Sequence, residues 1–124
     1  MNGKLIGFAP ITDGERAKTF YEGVLGLTFV ADDGFALVFR SGANMLRLAK
    51  MPQVTPAQFT ILGWETTSIV DDVQSLTAKG VEFTRFGFME QDALGIWTAP
   101  GGDKVAWFKD PDGNTLSLSQ HIAV

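Results

Sequence analysis

Histidine and cysteine build most transition-metal sites and many activated nucleophiles, and this chain is poor in both. It has one histidine, His121, and no cysteine. One imidazole cannot assemble a histidine-rich metal site, and thiolate sites and disulfides are excluded. His121 lies almost at the C-terminus, where chains fray, so a surface position is expected. Ser117 has no histidine partner in any motif, which argues against a nucleophile there. Glu90 and Asp92 read as solvated loop charges rather than an acid–base pair. Gly101-Gly102 reads as a tight turn, because no phosphate-loop pattern surrounds it. Aromatic side chains, in contrast, are plentiful. Trp64, Trp97 and Trp107 crowd the second half with Phe59, Phe86, Phe88 and Met89. Such a set can cage a flat or hydrophobic small molecule, or it can serve as core and dimer-interface packing. The apolar, glycine-punctuated stretch from Gln91 to Pro100 favours the cage, since long ordered loops are often functional.

The elements that would position these residues form a pattern that occurs twice. Leu5 to Ala9 reads as a strand. Thr12 then opens a helix, with Glu15 at the capping-box position. Ala17, Phe20, Tyr21, Val24 and Leu25 recur at helical spacing, and Gly26 suits the C-terminal cap. Thr28 to Ala31 and Phe35 to Arg40 flank the hairpin turn Asp32-Asp33-Gly34, and Asn44 to Lys50 returns. In that last strand Leu46 and Leu48 share one face, and Met45, Arg47 and Ala49 the other. Met51 to Pro56 reads as a linker, with two prolines and little periodicity.

The second half repeats the order. A strand is expected from about Thr60 to Val70. Asp71 then caps a helix with Val73 and Leu76 on its apolar side. Counted from aspartate to glycine, this helix is one turn shorter than the first. Val81 to Phe86 reads as a strand, Gly87 to Gly102 as irregular or a long hairpin. Lys104 to Lys109 and Thr115 to Ser119 are strands joined by the turn Asp110-Pro111-Asp112-Gly113. The linker is too short to separate independent domains. The expectation is one domain over residues 1–124, with modules at about 1–50 and 59–124 and a linker at about 51–58.

Composition limits the function classes. A hydrophobic content of 45% with ten Phe suits a chain that buries a core without disulfides. Net charge is −4, and Lys and Arg are scattered, so no basic stripe is offered to nucleic acid. The start Met1-Asn2-Gly3-Lys4 has no secretory pattern, and no segment approaches the length of a membrane span. A cytoplasmic protein with neither nucleic-acid nor membrane partners is expected.

Three stretches carry a family resemblance. They are Phe20-Tyr21-Glu22-Gly23-Val24-Leu25-Gly26-Leu27, then Ile69-Val70-Asp71-Asp72-Val73, then Phe108-Lys109-Asp110-Pro111-Asp112-Gly113-Asn114. In this order and at these separations the chain resembles the vicinal oxygen chelate superfamily of glyoxalases, bleomycin resistance proteins and dioxygenases. The resemblance implies an α+β fold: two βαβββ modules forming a cupped mixed sheet with helices on the outside. It also implies a ligand trough between the halves and a homodimer.

Metal-using members draw one ligand from each of four strands. Carried onto this chain, those positions are Ile6, Arg47, Glu65 and Ser117. An isoleucine has no lone pair, and arginine brings a fixed positive charge that repels a cation. Only Glu65 would bind a divalent ion well, so no metal and no cofactor is expected. The ligand-binding candidates are therefore Ile6, Phe8, Arg47, Glu65, Trp97, Trp107 and Ser117, with no catalytic residue assigned. Arg47 and Glu65 would contact a small organic ligand, or neutralise each other as an ion pair. Three functions stay open. The first is metal-free binding of a small organic molecule. The second is a metal-dependent lyase, isomerase or dioxygenase. The third is a dimeric scaffold or regulatory module.

Overall fold

The computed structural model describes residues 1–122. The elements run β1 (Ile6–Ile11), α1 (Gly14–Lys18), a wider π-helical stretch (Thr19–Val24), β2 (Thr28–Asp32), β3 (Ala36–Ser41) and β4 (Asn44–Lys50). They continue as β5 (Leu62–Glu65), α2 (Ile69–Ala78), β6 (Trp97–Thr98), β7 (Lys104–Lys109) and β8 (Thr115–Gln120). Each half is thus a βαβββ unit with its own four-stranded mixed sheet, ordered β1-β4-β3-β2 and β5-β8-β7-β6. By contacts, one compact unit comprises Met1–Pro56 with Asp110–Asn114, and the other Ala57–Lys109 with the chain from Thr115 onward. The turn Asp110–Asn114 therefore groups with the first unit although it lies late in the sequence.

In the first unit β1 runs parallel to β4, and β2, β3 and β4 are antiparallel neighbours. Alternation puts Ala9, Ile11, Leu37, Phe39, Leu46 and Leu48 on one face, where all are buried. The helix covers that face: the Tyr21 and Phe39 ring centroids are 6.0 Å apart. Burial of each such large side chain stabilises by about 1.5–3 kcal/mol. The helix cap differs from expectation. Asp13, not Thr12, is the N-cap, its carboxylate accepting from the Arg16 N–H at 3.1 Å. Thr12 instead donates its hydroxyl to Asp112 at 2.6 Å. The last helical turns are wider than α, with Leu25 N–H donating to the Phe20 carbonyl five residues back. Gly23 lies in that stretch, and glycine supports α geometry poorly. Gly26 ends the helix at φ 77°, as its sequence position suggests.

The turn grouped with this unit is tied in by a buried carboxylate. Asp110 accepts from the Tyr21 hydroxyl at 2.7 Å, from Asn114 Nδ2 at 2.8 Å and from the Asn114 and Asp112 amides. Asn114 Nδ2 also donates to the Pro10 carbonyl at 2.8 Å. Burial first, and then the Asp110 charge, push the Tyr21 pKa far up, so its hydroxyl stays a donor.

In the second unit β5 runs parallel to β8, and β6, β7 and β8 are antiparallel. Ile69 and Val73 of α2 are buried against a face carrying Ala106, Phe108, Leu116 and Leu118. Three expectations change here. The strand expected from Thr60 to Val70 is only Leu62–Glu65, because the Thr66 hydroxyl accepts from the Ser68 N–H and turns the chain. Helix α2 begins at Ile69, two residues before Asp71, and Gln120 Oε1 satisfies the Ile69 N–H at 2.8 Å. The two helices are thereby nearly equal in length. Val81 to Phe86 joins the sheet only at a Phe83–Phe108 bridge. Beyond that bridge, Gln91 stands in for a strand neighbour, accepting from Phe86 N–H and donating to the Thr84 and Gly95 carbonyls. Asp92 likewise accepts from Leu94 and Ile96, so it organises the loop rather than floating in solvent. Among the described residues no helix is long and apolar enough to cross a membrane.

Candidate functional site

The seven sequence-nominated residues fall on the helix-free faces of the two sheets. On the first sheet Phe8, Arg47 and Val38 stand abreast on β1, β4 and β3. The next rung holds Ile6, Met45, Arg40 and Thr28. Ile6 and Phe8 keep 47% and 61% of their surface exposed, so this face is not core. Ile6 and Arg47 are thus on neighbouring rungs, and Phe8 is the residue level with Arg47.

The carboxylate that answers Arg47 comes from the β2–β3 turn of the same unit. Asp33 Oδ2 forms an ion pair with Arg47 Nη2. Asp33 Oδ1 also accepts from the Phe35 and Ala36 amides, at 3.0 and 2.9 Å. The Arg47 hydrogen bond, then these amides, hold the Asp33 carboxyl down at about 2. Sequence reasoning read Asp32-Asp33-Gly34 as turn chemistry alone and missed this second role. The adjacent Asp32 is paired with Lys50 at 2.7 Å.

A concavity of about 340 Å³ opens in the first unit. Ile6, Val30, Val38 and Met45 line it with apolar surface, and Lys4, Arg40 and Asn44 add polar groups. Among the described residues no carboxylate is ion-paired with Lys4 or Arg40. Neither cation stands out in the sequence, because Lys4 precedes the first strand and Arg40 looks like an outward strand residue.

On the second sheet the alternation opposite α2 gathers Glu65, Ser117, Ser119, Val105, Trp97 and Trp107. Glu65, Ser119, Val105 and Trp97 form one rung, and Gly63, Ser117 and Trp107 the next. The Trp97 and Trp107 centroids lie 6.1 Å apart, and Phe86 meets Trp107 edge-on at 5.3 Å. Trp107 Nε1 donates to Thr60 Oγ1 at 3.1 Å, which fixes the indole. Ser117 is seated over Gly63: a Cβ there would stand 2.9 Å from Ser117 Oγ. Four nominated residues therefore share one face of the second sheet, aromatic on one side and polar on the other, with Ser117 buried in it.

His121 is not a loose terminal side chain. Its Nε2 lies 3.0 Å from Ser119 Oγ and its Nδ1 2.9 Å from Asp103 Oδ2. No sequence motif pointed to this triplet, since Asp103 is distant along the chain and β7–β8 pairing brings it near.

A family model described as Glyoxalase/Bleomycin resistance protein/Dioxygenase superfamily matches residues 8–118. No curated protein matches the sequence. Among solved structures, a member of that superfamily from Sphaerobacter thermophilus DSM 20745 is similar at TM-score 0.77 and 23% identity, covering 98% of each chain. The bleomycin resistance determinant encoded on transposon Tn5 is similar at TM-score 0.77 and 22% identity, covering 98% of this chain and 100% of that one. TnmS3, an antibiotic binding protein from Streptomyces sp. CB03234, is similar at TM-score 0.71 and 24% identity, covering 98% of each. At these identities the structural likeness shows the fold.

The donor set does not fit a divalent metal at the four positions nominated by the resemblance. Ile6 offers an alkyl chain, Arg47 a cation already paired, Ser117 a neutral hydroxyl, and only Glu65 a carboxylate. Among the described residues no three His, Asp or Glu side chains come together as ligands.

Proposed function

Because the chain belongs to the glyoxalase/bleomycin resistance protein/dioxygenase superfamily, we propose that it binds a small organic molecule, with an apolar body and an anionic group, without a metal. The observation that carries this reading is the concavity of about 340 Å³ in the first unit. Its size suits a small ligand, and its chemistry is apolar wall plus a few polar groups. Ile6, Val38 and Met45 would take the apolar body. Lys4 and Arg40 would take the anion, since neither charge is answered by a carboxylate of the described chain. Arg47 would contribute where a ligand anion replaces Asp33, with Phe8 alongside. The indoles of Trp97 and Trp107 are a second surface of matching chemistry, suited to stacking, with Glu65 and Ser117 as polar contacts. An antibiotic binding protein and a bleomycin resistance determinant among the structural neighbours support a small organic ligand, without bearing on its charge.

The test uses 8-anilinonaphthalene-1-sulfonate, an aromatic anion whose emission rises on binding. Saturable binding is expected, weakened roughly tenfold or more in Lys4→Ala/Arg40→Ala, because a charge-assisted hydrogen bond contributes about 1.5–3 kcal/mol. Equal affinity in wild type and the folded double variant overturns the assignment. Turnover of the glutathione–methylglyoxal hemithioacetal on adding zinc or nickel would favour the lyase reading instead.

We also propose a homodimer. Phe8, Phe35, Phe59 and Phe88 are 61%, 82%, 70% and 83% exposed, an unusual amount of aromatic surface for a lone small chain. Sedimentation velocity should give the mass of two chains, and a single-chain mass at micromolar concentration would remove this reading.

A further inference from the structure

Ser119, His121 and Asp103 are arranged in the atom order of a nucleophilic relay. Ser119 Oγ faces Nε2 at 3.0 Å, and Asp103 Oδ2 faces Nδ1 at 2.9 Å. The sheet builds this order. Ser119 and His121 are two residues apart and so emerge on the same side of the chain. Lys104 is level with Gln120, so Asp103, one step earlier in the antiparallel pair, comes level with His121. Asp103 is fixed further by the Ile122 N–H, which donates to Oδ1 at 2.9 Å. That amide, and then His121, hold the Asp103 carboxyl below its ordinary range. A carboxylate only accepts, so Nδ1 carries a ring hydrogen, and in the neutral ring Nε2 then holds the lone pair facing the serine.

We propose that Ser119 is a nucleophile, with His121 as its general base and Asp103 as the positioning residue, and that this end of the second sheet accepts acyl groups from aryl esters. The substrate class follows from the neighbours. Val105 and Trp97 lie on the Ser119 rung, and Trp107 is one rung away on the same face. An aryl ring resting on the indoles brings its ester carbonyl toward Oγ. Asp103 is the charged group on the imidazole, and Glu65 is level with Ser119 on the neighbouring strand β5. Lys104 turns to the other face and donates to Thr98 Oγ1.

The chemistry balances without redox. Oγ attacks the carbonyl carbon while its proton passes to Nε2. The tetrahedral adduct breaks its bond to the phenol oxygen, and the phenol leaves with the proton from Nε2. Water then attacks the acyl-serine, giving its proton to Nε2. The bond to Oγ breaks, the proton returns to Oγ, and a carboxylic acid departs. β8 is an inner strand paired on both sides, so its amides are used in the ladder. With the β8 amides engaged in the ladder rather than forming an oxyanion hole, the proposed reaction is confined to esters with good leaving groups.

The experiment is p-nitrophenyl acetate hydrolysis, followed by nitrophenolate release and by peptide mass mapping of the trapped acetyl group. Wild type should acetylate at Ser119 and turn over about a hundredfold faster than Ser119→Ala, the low end of general-base catalysis. His121→Gln should lose the Ser119 adduct while keeping the melting temperature. Asp103→Asn should slow acylation, and its melting curve reports the lost tie to Ile122 separately. Equal hydrolysis by wild type and Ser119→Ala overturns the proposal, as does acetylation confined to lysines. The triplet would then only fasten the end of β8.

Discussion

Two carboxylates of the first unit show how environment divides one chemical group into two jobs. Asp33 is an exposed partner of Arg47 with its pKa drawn from 3.8 to about 2. A carboxyl whose folded pKa is depressed stabilises the fold above its unfolded value, and that contribution is lost as pH falls through about 2. Arg47→Ala should therefore move the Asp33 titration back toward the ordinary range, read by NMR of its side-chain carboxyl. Asp110 is 5% exposed and satisfied by four donors. Tyr21→Phe removes the shortest of these bonds and leaves a buried acceptor under-satisfied. A loss of about 1–3 kcal/mol in urea unfolding, with unchanged m value, is expected. Neither role was legible beforehand. Asp33 and Asp110 both sit in sequences that announce turns, and a turn pattern says nothing about which distant side chain the carboxylate will meet.

Elements were far more readable than partners. β4 and β7 have the bounds their alternation predicts, and Leu46 and Leu48 face inward while Arg47 faces out. Reading failed where side chains replaced backbone pairing. Thr66 ended a strand early, and Gln91 stood where a strand was expected, because local side-chain hydrogen bonds leave no periodic trace. Strand alternation does not set rung positions either: Ser117 is level with Gly63, and Ser119 with Glu65. That pairing yields an element-scale prediction. Gly63→Ala sets a methyl 2.9 Å from Ser117 Oγ and should destabilise β5–β8. In a Ser117→Ala background the same change should be neutral or stabilising, since alanine costs less backbone entropy than glycine. Chemical denaturation of the four proteins forms a double-mutant cycle, and additive effects would refute the contact.

At the scale of the molecule, the family and the duplicated βαβββ order were visible in three short stretches, whereas the grouping of Asp110–Asn114 with the first unit was not. That grouping means residues 1–56 lack part of their own core. Expressed alone, they leave the Tyr21 hydroxyl and the Pro10 carbonyl without Asp110 and Asn114. The fragment should show no near-ultraviolet ellipticity from packed aromatics, and a peptide spanning residues 105–119 should restore some of it. A native-like spectrum from the fragment alone would contradict this. The same feature bears on how the polypeptide emerges from the ribosome. At 5–20 residues per second, translation needs roughly 3–12 s to travel from Pro56 to Asn114. For that interval the nascent N-terminal half waits with its tyrosine unmatched, exposed to chaperones before it can close.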